Sequence, residues 1–289
     1  VVDMGQGNAG TFLQMAALVL GQEAGGMELV LPDTGRTLPS GSSSASRTTY
    51  TFAGALLPAA QALGQRLLAR AADALFATEA EMALVPGAVR HRPSGRVVPL
   101  PQLARMLAPE ERVATHRHRA PVAPERPSAD PALQLHGLPH CVFSYAAHLA
   151  RVEVDELTGL VTVCDYLVAA DCGQVLNPQV WEQQMQGGVA QGLGYALMEE
   201  MPAPGGLPLN GDLSTYLIPT ALDLPPIHCL AVPSWEETGP LGLKGCGEIG
   251  IDGPLPAVGN ALAQALGRHL TQAPFTPERV LAALGETGL

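Results

Sequence analysis

Residues 144–173, SYAAHLARVEVDELTGLVTVCDYLVAADCG, decide the fold class. Val152 and Val154 alternate with Arg151 and Glu153, DELTG supplies a turn, and LVTVCDYLVAAD runs back. A two-residue period on both sides of a turn predicts an antiparallel hairpin. Beyond it, VLNP leads into a helix over 179–201 with glycines at 187, 188, 192 and 194. Glycine in a helix interior costs about 1 kcal/mol relative to alanine, so four of them predict something packed close to the backbone. Strands are expected near 213–218 and 226–232, then a glycine-rich loop at 239–256 and a helix over 257–270. A last helix is capped by Thr276, with Pro277 at its first position.

Towards the other end, VVDM (1–4) and MELVLPD (27–33) read as strands around a helix TFLQMAALVL (11–20). A serine- and threonine-rich loop at 35–50 precedes a long helix over 52–76, which Pro58 is placed to kink. The Pro/Arg-rich stretch 84–135 reads as an irregular connection around one short helix at 101–107. The whole predicts an α+β (mixed α/β) fold of two subdomains, 1–107 and 138–289, joined by an irregular connection over 108–137.

The 289 residues are 47% hydrophobic and 15% charged, a globular composition, with a net charge of −11. The only basic run is HRHR at 116–119, and aromatic residues make up 4%, so nucleic acid is excluded as the expected partner. Apolar runs of about ten residues are too short for the ~20 that cross a bilayer. Cysteines at 141, 164, 172, 229 and 246 are odd in number, widely spaced and without C-x-x-C. That argues against a disulfide framework, a zinc ribbon and an iron–sulfur site, and makes a reducing cytoplasm the expected setting.

Gly5-Gln6-Gly7-Asn8-Ala9-Gly10 spells the dinucleotide pattern G-x-G-x-x-G, and Asp33 ends the next strand where a ribose acid would stand. The context disagrees. The first strand of such a fold is buried on both faces, yet Asp3 sits inside VVDM, and no further βα units follow Asp33.

Four stretches place glycine beside glutamine, serine or glutamate: MGQG (4–7), SSSASRTT (42–49), QMQGGVAQGLGYALMEE (184–200) and GLKGCGEIG (242–250). Hydroxyls and backbone N–H groups ahead of a helix can hold phosphate oxygens, although an ordinary serine-rich cap explains the second stretch equally. Gln184 and Gln191 share a helix face with Gly188 between them. Neutral amides suit oxo or pterin groups, and glycine-mediated helix packing is the competing reading. Glu248, among Gly245, Gly247 and Gly250, is either a general base near a cofactor or a solvated loop carboxylate paired with Lys244. The histidines form no H-E-x-x-H motif, and His116 and His118 read as part of a solvated loop.

In order and spacing, these stretches resemble the molybdenum hydroxylases, the xanthine dehydrogenase and aldehyde oxidase family. TYLIPTALDLP and PLPAVGNALAQALG extend the match over almost the whole chain, most weakly over 80–135. The resemblance implies a molybdopterin molybdenum cofactor, in some relatives its cytosine dinucleotide form. The chain would correspond to the C-terminal half of the molybdopterin-binding region. Its partners would be the N-terminal half, the [2Fe–2S] and FAD domains or subunits, and a small-molecule substrate, with room for a higher oligomer. Glu248 matches the family's catalytic glutamate, a general base in oxidising a C–H carbon of a purine-like heterocycle or an aldehyde with oxygen from water. Gly5, Gln6, Gly7 and Gln184 match positions around the pterin and the metal. Ala45, Ser46, Arg47, Thr48 and Thr49 align with the loop that holds the pterin and its phosphate, where Arg47 departs from the small residues of some relatives. No side chain is expected to bind the metal, which the pterin dithiolene carries. A non-catalytic cofactor-binding fragment is the alternative of a different class.

Overall fold

A computed structural model describes residues 1–121 and 142–285. The chain forms two compact units, one of Val1–Phe143 with Glu236–Gly245 and one of Ser144–Trp235 with Cys246–Leu289. The mixture of helices and small sheets is α+β, as the sequence predicts.

The first unit is built on α1 (Asn8–Leu20) and the 28-residue α2 (Thr48–Leu75). Tyr50, Ala53, Leu57, Ala60 and Gly64 of α2 are buried at a three-to-four-residue spacing, and Ala71 two turns on, which gives the helix one apolar face. Phe12 of α1 and Phe52 of α2 pack with ring centroids 4.2 Å apart. Helix α2 runs through Pro58.

The expected strands at 1–4 and 27–33 are absent. The first is a loop organised by Asp3, and the second has no ladder partner among the described residues. The stretch expected to be irregular from residue 84 instead opens with a three-stranded antiparallel sheet, β1 (Met82–Val85), β2 (Ala88–His91) and β3 (Val97–Pro99). Pro86-Gly87 is a two-residue turn that pairs Val85 with Ala88. Strands of three or four residues are too short to show alternation amid prolines and arginines, yet Met82, Val89 and Val98 are buried against Ala71 and Ala72. Helix α3 (Leu100–Met106) follows, close to the expected 101–107. Of the expected connection over 108–137, residues 122–137 lie outside the described residues, as does Cys141.

In the second unit the predicted hairpin is β4 (Tyr145–Val154) and β5 (Val161–Asp171), antiparallel with a bulge at Arg151/Val152. Strand β6 (Ile227–Ala231) adds to β5 in parallel. No strand forms at 213–218. The Asp212 carboxylate accepts from the Ser214 N–H and its carbonyl from the Tyr216 N–H, which folds the segment into a turn. Helices α4 (Pro178–Leu197) and α6 (Pro254–Leu266) cover one face of this sheet. Tyr166, Val168, Met185, Val189, Leu193, Val258 and Leu262 form its core. Between them lies the single turn α5 (Ile249–Asp252), and α7 (Pro277–Gly285) closes the unit. The other face of the sheet exposes Tyr145, Leu149, Leu167 and Leu230. Among the described residues no helix is long and apolar enough to cross a membrane.

Candidate functional site

MGQG, SSSASRTT and residues 242–245 of the last stretch meet within the first unit. Asp3 shapes the MGQG loop: its carboxylate accepts from the N–H groups of Gly5 (2.9 Å), Gly7 (3.3 Å) and Ala9 (2.8 Å). These donors, Ala9 foremost, hold the Asp3 carboxyl below the usual aspartate value. Gly7, with φ 78°, is the N-cap of α1, so Asp3 fills the helix N-terminus where a dinucleotide fold would seat its pyrophosphate. The G-x-G-x-x-G pattern is thus a carboxylate-capped turn, and Asp3 is a residue whose role the sequence reading missed.

Gln6 closes on its own loop, accepting from the Met4 N–H at 2.6 Å and donating to the Val2 carbonyl at 3.0 Å. An amide so held still has one donor and one acceptor position to offer a ligand. The Val2 N–H donates to Ser43 Oγ at 3.1 Å, which ties this loop to the serine-rich one. There Ala45 (φ 54°) and Ser46 (φ 51°) are both left-handed, uncommon and costly for side-chain-bearing residues. Arg47 reaches back to Ser42, donating to Oγ at 2.9 Å, and Thr48, buried, starts α2, with Thr49 behind it. The Ser46 carbonyl lies against Gly245, where any Cβ would collide with it. Tyr50 donates to Thr238 Oγ1 at 2.8 Å, which anchors the segment leading to Gly245. Lys244 in that segment is buried. His118, expected to be solvated, instead packs its ring on Gly54 and edge-on to Tyr50. Burial pushes its pKa down.

From Gly245 the chain passes directly to Cys246 of the second unit. Glu248 is the N-cap residue of α5. It is exposed and makes no side-chain capping bond to that helix. Both carbonyls beside it are held. Gln184 Nε2 donates to the Gly247 carbonyl at 2.7 Å, and His148 Nε2 lies 3.1 Å from the Ile249 carbonyl. Beneath them α4 and α5 touch backbone to backbone: a Cβ on Gly188 would stand 2.8 Å from the Gly250 carbonyl carbon. One on Gly192 would stand 2.6 Å from Pro254 Cγ and one on Gly194 2.8 Å from Pro219 Cδ, so three of the four helix glycines answer the predicted close approach. Gln191 is not brought to this cluster. It turns along its own helix instead, donating from Nε2 to the Tyr195 hydroxyl at 3.1 Å. Behind the loop, the neighbouring Cys172 thiol and burial push the Cys246 thiol well above its usual range. His148 was also missed by the sequence reading, although its position in phase with the inward Val152 and Val154 was a signal for it.

The sequence signature of the molybdopterin cofactor-binding domain matches residues 1–225. The chain belongs to the molybdopterin cofactor-binding domain family. It is 32% identical to a probable xanthine dehydrogenase subunit of Bacillus subtilis, over 99% of this chain and 37% of that protein. Quinoline 2-oxidoreductase from Pseudomonas putida 86 is 27% identical and superposes with a TM-score of 0.79, over 99% of this chain and 36% of that one. The aldehyde oxidoreductase of Desulfovibrio gigas is 26% identical with a TM-score of 0.75, over 97% and 28% respectively. The chain thus spans about a third of the length of the relatives it matches. The resemblance to molybdenum hydroxylases read from the sequence is borne out.

The residues present fit such a cofactor. Loop 42–49 offers hydroxyls and backbone donors with no carboxylate among them. Gly5 has nothing within 4 Å of where a Cβ would stand, so a flat ring can approach its backbone. Among the described residues no group of three or more His, Cys, Asp or Glu side chains could hold a metal by themselves.

Proposed function

We propose that the chain is the molybdenum-cofactor-binding part of a hydroxylase or dehydrogenase that oxidises a C–H carbon of a purine-like N-heterocycle with oxygen derived from water. When bound, the cofactor supplies the oxidising metal centre, carried by its pterin dithiolene. Gly5, Gln6 and Gly7, together with Ala45, Ser46, Arg47, Thr48, Thr49 and Gln184, hold the pterin through backbone, hydroxyl and amide groups. Glu248 is the general base: its carboxylate takes the proton from the water-derived oxygen that attacks the substrate carbon. One observation carries this role. Glu248 is an exposed carboxylate on a backbone immobilised by Gln184, and a base must be both accessible and fixed.

The likeness to a xanthine dehydrogenase subunit and to quinoline 2-oxidoreductase supports a heterocyclic substrate. The likeness to aldehyde oxidoreductase supports aldehydes as the second reading. The electrons would pass to [2Fe–2S] and FAD groups on other domains or subunits. Glu248→Gln in the complete enzyme is expected to lower turnover by at least about 100-fold, at the lower end for general base catalysis, with molybdenum content unchanged. Hydroxylation at the parent rate in that variant would overturn the assignment. Comparing turnover of purines, quinolines and aldehydes by the parent enzyme decides between the substrate classes.

A further inference from the structure

The hydrogen bonds around His148 have a direction that the chemistry of their partners dictates. The Ile249 carbonyl can only accept, so His148 Nε2, 3.1 Å away, carries the proton. In the neutral ring Nδ1 then accepts, and the Tyr166 hydroxyl, 2.9 Å away, donates to it. Tyr166 is 1% exposed, deep in the core of the second unit, and burial raises its pKa, so its proton stays on the oxygen. His148 itself is partly buried, and that burial pushes its pKa down, which favours the neutral ring this relay requires. The ring rests directly on Gly253, where any Cβ would overlap it. Gly253 has φ −86°, an ordinary value, so the need for glycine there is space for the ring and not backbone conformation.

Glu248 therefore sits between two carbonyls that are both held by side chains of the same unit. Gln184 of α4 holds the one before it and His148 of β4 the one after it. A four-residue turn such as α5 has almost no internal ladder to fix it, so its geometry depends on such outside partners. We infer that His148, oriented by Tyr166, is a positioning residue for Glu248: it fixes the backbone from which the carboxylate projects by holding the Ile249 carbonyl. The inference rests on Glu248 being the base of the proposed reaction, but the clamp itself is a property of the fold that can be measured separately.

The test uses the complete enzyme with His148→Ala, His148→Gln and Gly253→Ala. A misplacement of about 1 Å in a catalytic group costs on the order of 100-fold, so His148→Ala is expected to lower kcat about 10- to 100-fold with KM little changed. Backbone amides of the 249–253 segment should exchange faster with deuterium, while those of β5 and α4 keep their protection. The glutamine can present an N–H to the Ile249 carbonyl and an oxygen to the Tyr166 hydroxyl, and should restore most of kcat. Gly253→Ala leaves every hydrogen-bonding group in place, pushes the ring aside and should reproduce the alanine variant. Unchanged exchange at 249–253 in both His148→Ala and Gly253→Ala would overturn the clamp, as would loss of protection spread evenly over the unit. Parent-level kcat with accelerated exchange would overturn the link to turnover. If Glu248→Gln retained turnover, the base reading would fall, whereas the exchange measurement would still decide whether His148 holds the turn.

Discussion

Asp3 illustrates how a residue that spoils one reading can be the centre of another. A carboxylate inside an apolar strand is costly, but one accepting three backbone N–H bonds at a helix N-terminus is stabilising. Its folded pKa lies below the ordinary 3.8, so the ionised form stabilises the fold at neutral pH. That contribution is complete above the ordinary value and disappears as pH falls through the folded one. Asp3→Ala is expected to lower stability at pH 7 by about 1 kcal/mol, the usual cost of losing a cap. Thermal melting from pH 7 to 2 would test this: parent and variant should converge at the acid end, and a constant gap would argue against the assignment. Glu248 stands out at this scale through its company of glycines. The partners of its flanking carbonyls, Gln184 and His148, were not, because they come from positions 63 and 101 residues away along the chain.

At the scale of elements, the glycines of α4 separate into two kinds that the sequence could not tell apart. Gly188 packs on the backbone of α5, whereas Gly187 has nothing within 4 Å of a Cβ position. Gly188→Ala should destabilise the protein by about 1–3 kcal/mol through overpacking. Gly187→Ala should stabilise it by up to about 1 kcal/mol through helix propensity. Opposite shifts of the thermal midpoint would bear this out, and a loss in both would mean that Gly187 has a packing role as well. The helices α1, α2, α4 and α6 and the β4–β5 hairpin were readable because long periodic segments carry their own signal. The sheet β1–β2–β3 was not, since strands of three or four residues hold too few alternations. The expected strands at 1–4, 27–33 and 213–218 failed for the opposite reason. Apolar residues there lack a ladder, and Asp3 and Asp212 draw two of the backbones into turns.

At the scale of the molecule, one face of the second unit's sheet is uncovered among the described residues, with Tyr145 64% and Leu149 65% exposed, a feature more usual of an interface than of a finished surface. The chain also spans only 37% of the Bacillus subtilis relative and 36% of the Pseudomonas putida one. The 289 residues expressed alone are expected to show no turnover and to bind an apolar-surface dye. Turnover is expected only when the remainder of the molybdopterin region is supplied. Robust hydroxylation by the chain alone would contradict that expectation.

The sequence by itself determined the family, the α+β class and the four glycine-rich stretches, because these depend on local composition, periodicity and order along the chain. Only the tertiary structure decided what the stretches do to one another. Hydrogen bonds and backbone contacts join residues dozens to hundreds of positions apart, and nothing in a local pattern encodes such partners. That Ser46 lies on Gly245, and that Gln184 and His148 grip the backbone beside Glu248, became readable only once the chain had folded.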